Sequence, residues 1–278
     1  MYRYITSLLS SEGIMLCRAI PLGRCKITKK YLLQNNGLTG STGTVFIFAI
    51  PYVTRLDEKR NISLYAVSRD YHRYVSELSH RILPQLAEKY PEHRFCMFSD
   101  HSPIDERHAA LASGLGISGM NGLVICEPYS SFFFICEIIT DADCTEAQRC
   151  FEIKECIKCG ACISACPTHG NGCLSEMTQR KAKLQVHEIF LMKESGSAWG
   201  CDLCQLVCPY TKAAIENGTI YSHIPYFCSD RLPYVEAETI VAMSDEEFSA
   251  RAYSWRGKST IMRNLAIINN SSTFLYDT

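Results

Sequence analysis

"CIKCGACISACP", residues Cys156–Pro167, places four cysteines within eleven residues and closes on a proline. The spacing C-x2-C-x2-C-x3-C-P at Cys156, Cys159, Cys162 and Cys166 is the bacterial ferredoxin run, in which three thiolates hold one 4Fe-4S cluster and the fourth reaches a second cluster. Tight spacing suits that chemistry because thiolates from one turn-rich loop must converge on the corners of a small cube. Zinc is the alternative, and it favours two separated CxxC pairs. Farther on, "GCDLCQLVCP" supplies Cys201, Cys204 and Cys208, again with a proline behind the last cysteine. The two sets give seven ligands where two cubanes need eight. Under the crossing-over rule Cys208 completes the cluster of Cys156, Cys159 and Cys162, while Cys166 joins Cys201 and Cys204, so the second cluster is the one left short. Cys173, in the glycine-rich stretch "THGNGC", is the nearest candidate for the missing corner; Cys150 and Cys228 compete with it. Cys17, Cys25, Cys96, Cys126, Cys136 and Cys144 sit in apolar strands or at their ends and read as small buried hydrophobes.

Composition sets the frame around these motifs. At 278 residues the chain can bury a core and form one large or two modest domains. A hydrophobic share of 47%, a charged share of 21% and a net charge of -1 are ordinary for a globular protein and give no general pull toward nucleic acid or membrane. Sixteen cysteines are not ordinary. The start "MYRYITSLLSSEGIML" lacks the basic head, unbroken apolar core and cleavage site of a signal peptide, and the longest apolar run, "VFIFAIPYV", is too short to span a bilayer. The expectation is a cytoplasmic protein with reduced thiols and no membrane segment.

Residues 1–150 alternate helix and strand. Helices are predicted in "MYRYITSLLSSEG" and in "RDYHRYVSELSHRILPQLAEKY", the latter with Tyr71, Val75, Leu78 and Ile82 on one side and ended or kinked early by Pro84. Another is predicted in "SPIDERHAALASGLG", capped by Ser102 with Pro103 at its first position. "GTVFIFAIPYV", "RFCMF", "GLVIC" and "SFFFICEII" read as strands. From Cys156 to Cys208 the short inter-cysteine segments bury little, so metal is expected to organise the structure there. "TKAAIENG" reads as a helix, and the tail shows only weak helical patches such as "DEEFSARAYSW". The fold class expected is α+β: an α/β domain over 1–150, a ferredoxin-like double-cluster domain over 151–215, and an extension over 216–278 that packs on both.

"CIKCGACISACPT", "CLSEMTQRK" and "WGCDLCQLVCPY" together resemble the iron-sulfur half of the epoxyqueuosine reductase family. The likeness extends to "RDYHRYVSEL", to "SDHSPIDERHAALASGLGISGMNGLVI", which is similar to the family's D-S-A-P-x-x-E-R and G-L-G-W-I-G-K-N stretches, and to "YSSFFFICEIITD". It covers roughly residues 43–212. The resemblance implies two 4Fe-4S clusters and a cobalamin, with a cobalamin domain related in fold to that of reductive dehalogenases. It also implies that the isolated cysteine, here Cys173, ligates the second cluster. Electrons would pass through the clusters to cob(II)alamin, and Asp100 would be the general acid for the departing epoxide oxygen; on its own, Asp100 reads as a turn aspartate.

Tyr71, Gly116, Gly119 and Ser175 are further implied cobalamin contacts. Core packing, a helix C-cap at Gly116 and a turn hydroxyl at Ser175 are their plain alternatives. "DYHRYV" lacks the glycine of a D-x-H-x-x-G cobalamin motif, so His72 receives no cobalt-ligand role. "GLTGSTGTV" has no lysine-serine pair and reads as a strand-entry turn, not a nucleotide loop. The chain departs from the family in "GISGMN", which loses an aromatic and a lysine, and only seventy residues follow Cys208, so it resembles a short form without the C-terminal helical-repeat region. Arg180, Lys181 and Lys183 could touch phosphate or form a solvated helix face. Two substrate classes are thus open, epoxyqueuosine in tRNA or a smaller molecule. A non-catalytic electron carrier or corrinoid-reducing activator is the competing class. A ferredoxin or flavodoxin as electron donor and a monomeric state complete the expectation.

Overall fold

The computed structural model describes residues 1–40, 42–144 and 151–269. Its contacts divide the chain into two units built from interleaved segments: Met1–Tyr52, Tyr74–Cys159 and Ala213–Ile224 in one, Val53–Arg73, Gly160–Lys212 and Pro225–Thr278 in the other. The sequence reading drew three consecutive blocks instead. Interleaving of this kind leaves no composition shift at the crossing points, which is why it is invisible in the sequence.

In the first unit the elements are α1 (Tyr2–Ser11), β1 (Leu16–Pro21), α2 (Lys30–Asn35), β2 (Thr44–Pro51), most of α3 (Tyr71–Lys89), β3 (Phe95–Phe98), α4 (Glu106–Ala112), β4 (Ile117–Ser118), β5 (Val124–Ile125) and β6 (Phe133–Thr140). Helix and strand alternate as expected, but the strands named here pair antiparallel: the main sheet runs β1-β2-β6-β3, and β4 pairs with β5. Strand β2 is buried along its whole length because both its faces are covered. Val45, Ile47 and Ala49 share a core with Ala109, Ala110 and Leu111 of α4, while Phe46 on the opposite face meets Tyr2 of α1. This alternation brings Glu137 of β6 onto the α4 face, since its register partners are Ile47 and Phe98.

Two local expectations are corrected. Helix α3 runs through Pro84 to Lys89. Leu78, Ile82 and Leu86 are all buried, so the apolar stripe continues past the proline and packing outweighs the lost backbone bond. The cap of α4 is Asp105, whose carboxylate accepts from the His108 N–H at 3.0 Å; Ser102 is turned inward to another partner.

The second unit holds α5 (Ala161–Ser164), α6 (Leu174–Gln179), α7 (Val186–Ser195), α8 (Leu203–Leu206), the start of α9 (Pro209–Glu216), α10 (Pro225–Cys228), α11 (Ala237–Ala242), α12 (Asp245–Ser249) and α13 (Lys258–Ile268). Apolar packing contributes more here than the cysteine spacing suggests. Leu174, Met177, Leu184 and Met192 form a core with Ile267 of α13. The fully buried Asn264 amide donates to Thr178 O at 2.6 Å and Ala198 O at 2.8 Å, fixing α13 across both cysteine-bearing loops. No helix among the described residues is long and apolar enough to cross a membrane.

Candidate functional site

The described cysteines fall into two sorts, and none of the fifteen is in a disulfide. Cys17, Cys96, Cys126, Cys136 and Cys144 are buried, as expected for small hydrophobes, whereas Cys25, expected among them, is only half-buried at the edge of the core. Burial pushes the thiols of Cys17, Cys96 and Cys126 up to about 12 and that of Cys136 well above its ordinary value. By contrast Cys156, Cys162, Cys166, Cys201, Cys204 and Cys208 are half-buried, and Cys159 and Cys173 are exposed. Cys228 is exposed at the end of α10, and Cys150 lies outside the described residues.

Polar groups of the surrounding loops aim at these sulfurs. Within the first unit, the Met120 N–H donates to Cys156 Sγ at 3.3 Å, and the Cys156 N–H donates to Ser118 O at 2.9 Å. Within the second, the Thr168 hydroxyl lies 3.1 Å from Cys166 Sγ. Burial opposes ionisation of Cys166, but hydrogen bonds from Thr168, Gly170 and His169 outweigh it and hold the thiol below its ordinary value. Cys201 is pushed up to about 11, mainly by burial. Among the described residues no three His, Cys, Asp or Glu side chains are gathered as a single metal ion requires.

Next to Cys201, the buried Asp202 ties the cysteine loop to residues 60–64. Its carboxylate accepts from Arg60 at 2.5 Å, from the Ser63 hydroxyl at 2.5 Å and from the Leu64 N–H at 2.9 Å. Gly200 has φ +72°, and a Cβ there would stand 2.5 Å from Ser63 Cβ, so only glycine allows this approach.

Gly116 and Gly119 flank the short β4 strand. A Cβ at Gly116 would lie 2.5 Å from Ile125 O, and one at Gly119 would lie 2.5 Å from Asn121 Oδ1. The β4–β5 hairpin itself therefore demands both glycines, and the left-handed turn that closes α4 is at Gly114 (φ +72°). Of the large apolar side chains in this part of the chain, Met120, Leu123, Phe151 and Ile153 are exposed.

Asp100 stands on an exposed turn between β3 and α4 with φ +59°, a left-handed conformation that aspartate tolerates better than most residues. Its backbone N–H donates to Glu106 Oε1 at 2.9 Å. Below it the Ser102 hydroxyl donates to Glu137, which is completely buried, and accepts from the Ile104 N–H at 3.2 Å. Burial, opposed in part by its contact with Glu137, pushes the Glu106 carboxyl up to about 7; burial and the neighbouring Glu106 push Glu137 well above the carboxylate range. Alongside, Lys29 and Tyr31 contact the two ring nitrogens of His101 at 3.3 and 3.1 Å. Sequence reasoning singled out Asp100 but missed Glu106 and Glu137. The available signal was a glutamate inside the apolar run "SFFFICEII".

The remaining assigned residues are placed as follows. Tyr71 is buried, its ring 4.2 Å from that of His72. His72 Nδ1 lies 2.8 Å from Asp70. Ser175 accepts from Gln179 at 3.1 Å within α6. Arg180 follows the end of α6 and is paired with Glu176 and Glu188, which neutralise it, while Lys181 and Lys183 are exposed.

Residues 155–212 match the model of the 4Fe-4S dicluster domain family. The epoxyqueuosine reductase of Cyclobacterium marinum is 33% identical over 169 residues, covering 56% of this chain and 54% of that protein. The epoxyqueuosine reductase of Gloeobacter violaceus is 31% identical over 235 residues, covering 79% of this chain and 71% of that protein. The chain thus spans between about half and seven tenths of these relatives. Among solved structures, epoxyqueuosine reductase from Streptococcus thermophilus superposes with a TM-score of 0.76 at 21% identity, covering 96% of this chain and 80% of that one. A crystal structure of epoxyqueuosine reductase with an epoxyqueuosine-modified tRNA-Tyr stem loop gives a TM-score of 0.73 at 21% identity, with 96% and 81% covered.

Proposed function

Because the chain belongs to the epoxyqueuosine reductase family, we propose that it is an iron-sulfur and cobalamin-dependent reductase acting on the epoxide of epoxyqueuosine in tRNA. The observation that carries this reading is Asp100, held on an exposed left-handed turn by Glu106, in a chain that also presents eight part-exposed thiols at ferredoxin spacing. Cys156, Cys159, Cys162 and Cys208 would hold one cluster, and Cys166, Cys173, Cys201 and Cys204 the other. When bound, the clusters supply single electrons and the cobalamin supplies a strongly reducing cobalt centre. Tyr71, Ser175, Gly116 and Gly119 are the residues of this chain assigned to the corrin, and the exposed Met120 and Leu123 lie in the same hairpin as the two glycines. Asp100 would give its proton to the epoxide oxygen as the ring opens to a hydroxyl; departure of that oxygen as water takes one further proton and, over the whole reduction, two electrons delivered one at a time through the clusters. Lys181 and Lys183 are free of the pairing that neutralises Arg180 and would meet tRNA phosphate. A small redox protein of the ferredoxin or flavodoxin class is the electron donor, and the protein acts as a monomer in the cytoplasm.

Anaerobic purification with added cobalamin, followed by absorption and EPR spectroscopy, tests this. Two clusters and about one equivalent of retained cobalamin are expected. Clusters without corrin would point to an electron carrier instead. Asp100→Asn should retain both cofactors and lose turnover, and unchanged turnover would remove Asp100 from the mechanism.

A further inference from the structure

Beneath Asp100 the side chains form a chain of contacts that the proposed reaction does not use. Ser102 donates to Oε1 of Glu137; the other oxygen of that carboxyl, Oε2, is buried and has no donor among the described residues. Its neighbour is the Glu106 carboxyl, itself an acceptor through Oε1 for the Asp100 N–H. Two carboxyl groups in contact, one of them at 0% exposure, cannot both be ionised without an unpaired buried charge. A single proton between them resolves the geometry, because Glu137 then becomes a donor to Glu106 and its orphaned oxygen acquires a partner.

We infer that Glu137 and Glu106 share one proton and act together as positioning residues, holding the Asp100 turn in its left-handed conformation until alkaline ionisation of the pair releases it. This rests on the reading of Asp100 as the acid. The groups facing the pair are Asp100, whose charge opposes ionisation of both glutamates, Lys29, which favours it at Glu106, the Ser102 hydroxyl, and the buried thiols of Cys96 and Cys136, which are neutral at neutral pH. The raised proton affinities of both carboxyls agree with this arrangement. When the shared proton is lost to solvent, two carboxylates face each other, and Glu106 can move outward because it is only half-buried. That movement withdraws the acceptor from the Asp100 N–H.

Replacing the proton by a permanent N–H tests the inference. In Glu137→Gln the amide donates to Glu106 at every pH, so turnover at neutral pH should stay within about three-fold of the parent. The alkaline fall of kcat expected of the parent should disappear. Glu137→Leu leaves Glu106 without its donor and should lose about ten- to a hundred-fold in kcat with KM little changed, as expected for a displaced acid. Difference infrared spectra of the protein as isolated, recorded against pH, give a readout independent of activity. The parent should show a carboxylic acid C=O band at neutral pH that fades over the same range as kcat, and Glu137→Gln should lack it. Glu106→Gln, a change at a half-buried position, removes the facing carboxylate, so the band of Glu137 and kcat should both fade at lower pH than in the parent; it serves if Glu137 variants do not fold. A parent without the band, Glu137→Gln that keeps the alkaline fall, or Glu106→Gln with band and kcat fading where the parent's do, overturns the inference. Should Asp100→Asn turn over normally while the band is present, the acid assignment fails and the shared proton stands.

Discussion

Cys173 and Cys228 are both exposed thiols, yet their surroundings differ. Cys173 directly precedes α6, whose Leu174 and Met177 are buried in the core of the cysteine-bearing unit, whereas Cys228 ends a four-residue helix. Cys173→Ala should therefore lower the iron content from about eight to about four atoms per chain, and Cys228→Ala should leave it unchanged. Iron analysis and EPR of the reduced protein measure this directly. Single residues were unevenly legible in the sequence. The cysteine spacing announces itself because cubane chemistry imposes fixed intervals. Glu106 and Glu137 lie far apart in the chain, and only the register of β6 against β2 and β3 turns Glu137 toward α4.

At the scale of elements, polar side chains inside apolar surroundings fix how loops meet. Asp202 is fully buried while its partner Arg60 reaches solvent, so removing the carboxylate strands the buried Ser63 hydroxyl and Leu64 N–H more than a charge, at a cost of about 1–3 kcal/mol each. Asp202→Ala should lower the denaturation midpoint accordingly, while Asp202→Asn, which keeps the side-chain carbonyl as an acceptor, should cost less. Asn264→Leu would strand two buried carbonyls and should cost about 1–3 kcal/mol each by the same measurement. Helix α13 was missed in the sequence because its stabilising contacts are with residues some eighty positions earlier and its own pattern is weak. Strands β2, β3 and β6 were legible because their apolar runs are bounded by turn residues. The Ser102 cap failed for a physical reason: its hydroxyl found Glu137, and Asp105 took its place at the helix start.

For the whole molecule, stability against pH has two opposing limbs. Glu106 has its folded value raised from 4.5 to about 7, so the folded chain keeps a proton that the unfolded chain releases between those limits. The stability this proton confers is complete below pH 4.5 and is lost as pH rises through about 7, at roughly 1.4 kcal/mol per pH unit while one proton separates the states. Glu188, lowered because its bonds to the Gln185 N–H and Arg180 outweigh burial, acts in the other sense and loses its contribution as pH falls below the ordinary carboxylate range. Thermal melts across pH should show the neutral-side decline, and Glu106→Gln, which removes the titrating group, should flatten it. The two sorts of cysteine carry a last consequence, for the chemistry of damage. At neutral pH the thiols of Cys17, Cys96, Cys126 and Cys136 contribute almost no thiolate, so among the described residues oxidants and alkylating agents find their targets on the ligand loops and at the exposed Cys228. A brief pulse of iodoacetamide after anaerobic iron removal should label the ligand cysteines and spare these four in peptide mass spectra. Loss of iron from the ligand loops is then reversible with fresh iron and sulfide, whereas alkylation of the same thiols is permanent.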